Sequence, residues 1–171
     1  MLRRPMTIGA VLVLVVAALL PVLADSQQVG GPEQAVRAYV DAFNSHDIDA
    51  FGTTVSTDVV VYGLLGTDGV VHGRDAYAAA LASWFVTFPD LNIDIEKLIT
   101  EGDMVATLAR VTGTQSGTFP IGEVPGTGTV IAIDALALFR IEDGVVAEKW
   151  YRQDDLSLLV QVGVIDLGSS E

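Results

Sequence analysis

The segment Thr129–Asp155 reads TVIAIDALALFRIEDGVVAEKWYRQDD. A mostly apolar run carrying one acid, Asp134, meets Glu142-Asp143-Gly144, where Gly144 is free to take a positive φ. A second run then passes through Trp150 to Asp154. Two such runs joined by a glycine-containing three-residue loop predict a β-hairpin. With Ile141 opposite Val145, Leu136 faces Trp150 and Asp134 faces Arg152. Alternation of side chains puts Asp134, Leu136 and Leu138 on one face with Glu148, Trp150 and Arg152. Asp154 joins them if the strand stays regular. A one-residue slip would exchange the faces. The opposite face, with Ile131, Ile133, Ala135, Ala137, Phe139 and Ile141, is the more apolar. The expectation is that Asp134, Trp150, Arg152 and Asp154 line a pocket, because a conical sheet buries both faces and a reacting site needs polar groups. The alternative puts this charged set outside, at a subunit contact.

Working back from the hairpin, Met104 to about Gly117 reads as a long strand and Leu91–Ile99 alternates as a half-exposed one. Residues 119–128, with two prolines and three glycines, form a loop between strands. A helix from Gly73-Arg74-Asp75 to about Phe88 clusters Tyr77, Leu81, Trp84, Phe85 and Phe88 on one side, and Pro89 stops it. Val59–Tyr62 and Val70–His72 are short extended pieces. The first helix starts near Gly31-Pro32-Glu33 and carries an apolar face of Ala35, Val36, Tyr39, Val40 and Phe43. His46 lies in the polar connection to a short helix from Ile48 to about Phe51 and reads as a turn residue. A short helix over Leu156–Val162 closes the chain. Helices segregated to one side of a mostly antiparallel sheet indicate an α+β fold. Four main strands and three main helices are expected, with the helices on the concave side.

The chain has 171 residues, 50% of them hydrophobic, enough for one domain with a substantial core. It has no cysteine, which excludes disulfides and thiol chemistry, and only two histidines, His46 and His72. At the N-terminus, Arg3 and Arg4 precede an apolar run from Ile8 to Leu20, then Pro21 and Val22-Leu23-Ala24, the layout of a secretory signal peptide over residues 1–24. Export is therefore expected, to the periplasm or outside the cell. The alternative is an uncleaved leader that remains as a membrane anchor, although the run is short for a span of ~20 residues. Cleavage after Ala24 would leave 7 basic and 22 acidic residues, a net charge of −15. Such a surface repels phosphate backbones and argues against a nucleic-acid partner. Residues 25–32 read as a spacer, 33–167 as the domain and 168–171 as a loose tail.

Trp84-Phe85, Phe88-Pro89-Asp90-Leu91, Glu101-Gly102-Asp103, the run Gly113–Gly117, Phe139-Arg140-Ile141-Glu142-Asp143-Gly144, Glu148-Lys149-Trp150 and the ending Asp154–Gly163 resemble, in order and spacing, the SnoaL-like polyketide cyclase (ester cyclase) family of the NTF2-like superfamily. The resemblance covers about Glu33 to Gly163. It implies a cone-shaped α+β barrel, often dimeric, with a pocket between sheet and helices for a small apolar organic molecule. It implies an intramolecular aldol ring closure needing no cofactor or metal, with an aspartate after the Glu-x-Trp strand as general acid/base. The matching position is Asp154. At two positions where the family often has histidine, this chain has Gln115 and Lys149.

On these grounds Asp154, Asp134 and Arg152 are the expected catalytic residues. Trp150, Trp84, Phe88, Tyr39 and Gln115 are the expected substrate contacts. Burial beside Trp150 would raise the Asp154 carboxyl toward proton-transfer chemistry, while an aspartate before a helix also serves as an N-cap. Asp134 in an apolar strand needs a partner, and Arg152 is the geometric candidate. The same three residues are similar in kind to the Asp-Arg-Asp set of limonene-epoxide hydrolases, a second enzyme reading. A non-catalytic exported binding domain is the third.

Overall fold

The structure, a computed structural model, describes residues 31–168. The leader and most of the spacer lie outside the described residues, as do residues 169–171. The elements run α1 (Pro32–Asn44), α2 (Ile48–Gly52), β1 (Val55–Tyr62), β2 (Val70–His72), α3 (Arg74–Thr87), β3 (Asn92–Glu101), β4 (Met104–Thr114), β5 (Val130–Glu142), β6 (Val145–Gln153) and α4 (Asp155–Gln161). The strands form one curved, unclosed sheet in the order β2-β1-β6-β5-β4-β3. This is the expected α+β, NTF2-like fold.

The sheet has six strands rather than the four anticipated. The two short extended pieces join it: β1 runs parallel to β6, and β2 pairs antiparallel on its far side. All other pairings are antiparallel. Helix α1 begins with Pro32 in its first turn, where a missing N–H costs nothing, and buries Ala35, Val36, Tyr39, Val40 and Phe43. Its last residue, Asn44, exchanges two hydrogen bonds with the Ile93 backbone, at 2.9 and 2.8 Å, and ties the helix to edge strand β3. The Asp47 carboxylate caps α2 by accepting the Asp49 and Ala50 N–H groups. In the connection between α1 and α2, His46 takes a positive φ of 57°, bonds the Leu91 carbonyl oxygen at 2.7 Å and stacks on Phe85.

The hairpin forms where expected but in a different register. Glu142 pairs with Val145, so the loop is only Asp143-Gly144, with φ of 52° and 78°. Asp-Gly is the pair that a two-residue type I′ turn selects, because both positions need positive φ. A bulge then follows, since Ile141 pairs with Val146 but Arg140 pairs with Glu148, leaving Ala147 as the extra residue. Beyond it Leu138 faces Trp150 and Leu136 faces Arg152. The pairing has slid by two residues, so the two sets of faces expected from the sequence survive.

Which face turns inward is the larger correction. Ile131, Ile133, Ala135, Phe139 and Ile141 are buried, whereas Leu136 is 59% and Leu138 38% exposed. The more apolar face packs against the helices because burying it removes more hydrocarbon from water. The set carrying Asp134, Trp150 and Arg152 lies on the outer surface.

Candidate active site

The inner face of β6 presents Ala147, Lys149, Tyr151 and Gln153. Of these Lys149 is only 4% exposed. Its Nζ donates to the Tyr39 hydroxyl of α1 at 2.9 Å and to the Tyr77 hydroxyl of α3 at 3.1 Å. The two hydroxyls also bond each other. The nitrogen sits 4.5 Å from the centre of the Tyr151 ring and 5.7 Å from that of Phe139. Among the described residues no carboxylate lies within 4.0 Å of it.

Lys149 lies on the wall of a cavity of about 50 Å³, within about 550 Å³ of atom-free space that includes its open mouth. Leu64, Leu81, Trp84, Ile131, Ile133 and Leu158 supply much of its apolar lining, and Tyr77, Tyr151 and Gln153 the polar part. The closed volume exceeds the ~10–15 Å³ that one water occupies by this measure, so it suits a molecule of a few heavy atoms. At the polar side the Tyr151 hydroxyl donates to Gln153 Oε1, and Gln153 Nε2 donates to Asp155, both at 2.9 Å. This pair of bonds fixes which end of the Gln153 amide faces which neighbour.

Burial without a counter-charge lowers the Lys149 pKa from 10.5 to about 7. Burial, reinforced at Tyr39 by its neighbour Tyr77, raises the tyrosines above their ordinary value. With Nζ donating to both hydroxyls and the hydroxyls bonded to each other, one phenolic O–H remains to donate elsewhere. The arrangement therefore holds a primary amine, free to take up a proton near neutral pH, against two phenols in an apolar chamber.

The residues expected from the sequence divide between the two sides of the sheet. Trp84 lines the cavity, half-buried, and stacks on the fully buried Phe88. Tyr39 lines a smaller adjoining space that Lys149 and Tyr151 share. Gln115 is fully buried but serves the fold, its Nε2 donating to the Val124 and Pro125 carbonyls at 3.2 Å. It thereby pins the loop 119–128, whose Gly126 passes so close to Ser116 that a Cβ would sit 2.1 Å from its carbonyl oxygen. Trp150 stacks on Tyr62 on the outer surface. Asp134 is exposed and pairs with Arg110, its neighbour on β4, not with Arg152. Arg152 bonds the Tyr151 carbonyl. Asp154 is exposed, accepts the Ser157 N–H at 2.9 Å and caps α4. The structure thus does not bring Asp134, Arg152 and Asp154 together around a substrate, because face selection turned Asp134 and Arg152 outward and capping holds the Asp154 carboxylate.

Lys149 and Tyr151 were not among the expected site residues. The signal was parity: once the face bearing Ile133 and Phe139 is taken as the inner one, Lys149 and Tyr151 must face inward with it. Among the described residues no group of three His, Cys, Asp or Glu side chains gathers to hold a metal ion.

Comparison with known proteins adds identity to this geometry. Residues 33–162 match the family model described as SnoaL-like polyketide cyclase. A candidate SnoaL-like polyketide cyclase from Jannaschia sp. CCS1 is similar at 27% identity and a TM-score of 0.69, over 79% of this chain and 93% of that one. AclR from Streptomyces galilaeus, a candidate hydroxylase, is similar at 27% and 0.69, over 79% and 97% of the two chains. IdmH from Streptomyces antibioticus, a candidate polyketide cyclase, is similar at 26% and 0.67, over 77% and 98%. No curated protein matches the chain at a significant level.

Proposed function

Since the chain belongs to the SnoaL-like polyketide cyclase family, we propose that it performs acid/base catalysis of an aldol-type reaction on a small apolar carbonyl compound, with Lys149 as the proton-transfer group. The observation that carries this reading is the buried Lys149 amine, bonded to Tyr39 and Tyr77 on the wall of an apolar cavity. An aldol step needs a base to remove a proton beside a carbonyl, and a neutral amine in a dry chamber supplies one. The enolate oxygen that develops needs donors, which the phenolic hydroxyls and the Gln153 amide provide from fixed positions. The protonated amine then returns its proton to the new alkoxide. The cavity volume favours a compact substrate over a polycyclic one.

The experiment is exchange of the α-hydrogens of a small ketone, cyclopentanone, for deuterium, followed by NMR. The protein is expected to accelerate the exchange. Asp154→Asn is expected to leave the rate essentially unchanged, because Asn still caps a helix and the carboxylate lies outside the cavity. Loss of exchange in Asp154→Asn would return the acid/base role to that residue. Absence of exchange in the wild-type protein would leave a binding domain as the better reading.

We also propose a homodimer formed through the outer sheet face, where Leu136, Leu138 and Ile99 are exposed beside Trp150. Light scattering is expected to return twice the chain mass. A monomer mass at micromolar concentration would contradict it.

A further inference from the structure

We propose that Lys149 is a nucleophile as well as a base, condensing with the carbonyl carbon of a small ketone to form an imine and then an enamine within the same cavity. This rests on the proposed function and deepens it, since it replaces an enolate with a covalently held enamine. The geometry supports it in three ways. Around the amine stand Tyr39 of α1, Tyr77 of α3, Phe139 of β5 and Tyr151 of β6, so its neighbours are aromatic rings and phenols. No carboxylate within 4.0 Å holds it as an ammonium, among the described residues. It opens on a chamber whose walls are mostly hydrocarbon, where a neutral amine is a strong nucleophile and an imine is largely shielded from bulk water. The depressed pKa is consistent with this.

The chemistry balances without any added reagent. The amine nitrogen bonds to the carbonyl carbon, and the carbonyl oxygen becomes a hydroxyl by taking a proton through the Tyr39–Tyr77 hydroxyl pair. That hydroxyl leaves as water with the second amine proton, giving the C=N bond. An α-proton then moves to the imine nitrogen through the same hydroxyl pair and gives the enamine, whose carbon attacks the second carbonyl while the N–H proton passes to the new alkoxide and restores the imine. Water then hydrolyses the imine and restores the amine.

The chain contains two lysines, Lys97 and Lys149, and Lys97 is exposed on β3, so each full-length molecule carries its own control. Purified protein is incubated at pH 7 with cyclopentanone and sodium borohydride, and the modified lysine is located by peptide mass. Lys149 is expected to be alkylated at least about tenfold over Lys97, since each unit of lowered pKa raises the neutral amine fraction about tenfold. A second measurement needs no variant: in heavy-oxygen water, imine formation and hydrolysis exchange the ketone oxygen, whereas proton abstraction alone does not. Catalysed oxygen exchange with Lys149 labelling supports the inference. Catalysed deuterium exchange with neither oxygen exchange nor Lys149 labelling overturns the covalent step and keeps the acid/base function. Loss of both exchanges overturns both.

Discussion

Lys149→Met is expected to lower the rate of catalysed α-hydrogen exchange by about 10²–10⁴-fold, the range a positioned general base contributes. Methionine has a similar length and a flexible thioether, so it fills the same volume among the tyrosine rings without an amine. Tyr39 and Tyr77 keep their mutual hydrogen bond, so each hydroxyl retains one partner. The fold is therefore expected to survive, and the stability of the variant carries a second signature. In the wild type the folded chain releases the Lys149 proton near pH 7, while the unfolded chain holds it to about pH 10.5. Between these values the unfolded state binds more protons, so stability rises with pH and is lost again as pH falls toward 7. The slope approaches about 1.4 kcal/mol per pH unit. The buried tyrosines act in the opposite sense, but only above their ordinary value of 10, so the rise is read below that pH. Urea titrations at successive pH values should show the rise in wild type and its disappearance in Lys149→Met. A variant that keeps both the exchange rate and the pH slope would remove Lys149 from the mechanism.

The second large effect concerns what holds the cavity roof. Phe119 is fully buried at the start of the loop 119–128, and its N–H donates to the Val124 carbonyl at 2.8 Å. Its ring meets Trp84 edge-on at 5.7 Å and Phe88 at 6.2 Å, so one residue of an irregular loop supports Trp84 of α3, which lines the cavity, and Phe88, which ends that helix. Phe119→Ala removes that support and leaves a void, at a cost of about 3–5 kcal/mol. For a domain of this size that lowers the melting temperature by roughly 10–20 °C. Val86→Ala, on the exposed side of the same helix, is expected to change stability by less than about 0.5 kcal/mol. Thermal denaturation followed by circular dichroism compares them. A shift in Phe119→Ala no larger than that in Val86→Ala would mean that the loop does not brace α3.

These two residues also mark where sequence reasoning reached and where it stopped. The helices and the four long strands were legible because their apolar residues repeat at 3.6 or 2.0 positions, and Pro32, Pro89 and Gly144 punctuate them. The places of β1 and β2 in the sheet were not, because a parallel pairing between β1 and β6, distant in sequence, leaves no local mark. The register of the hairpin differs by one residue because the loop is the two-residue Asp143-Gly144 turn rather than the three residues expected, and by one more because the Ala147 bulge is silent in the sequence. The site was harder. Charge near Trp150 drew attention to Asp134, Arg152 and Asp154, yet their face is the less apolar one, and the greater burial of Ile131, Ile133 and Phe139 decided the orientation. A lone lysine beside that tryptophan looks like a solvated residue until the opposite face is chosen as the interior. Tyr39 and Trp84 were reachable because helix periodicity alone places them inward.

The central claim is that Lys149 is an amine free of its proton near neutral pH, and NMR titration of its side chain tests it most directly. With two lysines in the chain, the Lys149 signal is assigned by its absence in Lys149→Met. A midpoint of about 7 is expected. A midpoint at the ordinary lysine value of 10.5 would contradict it.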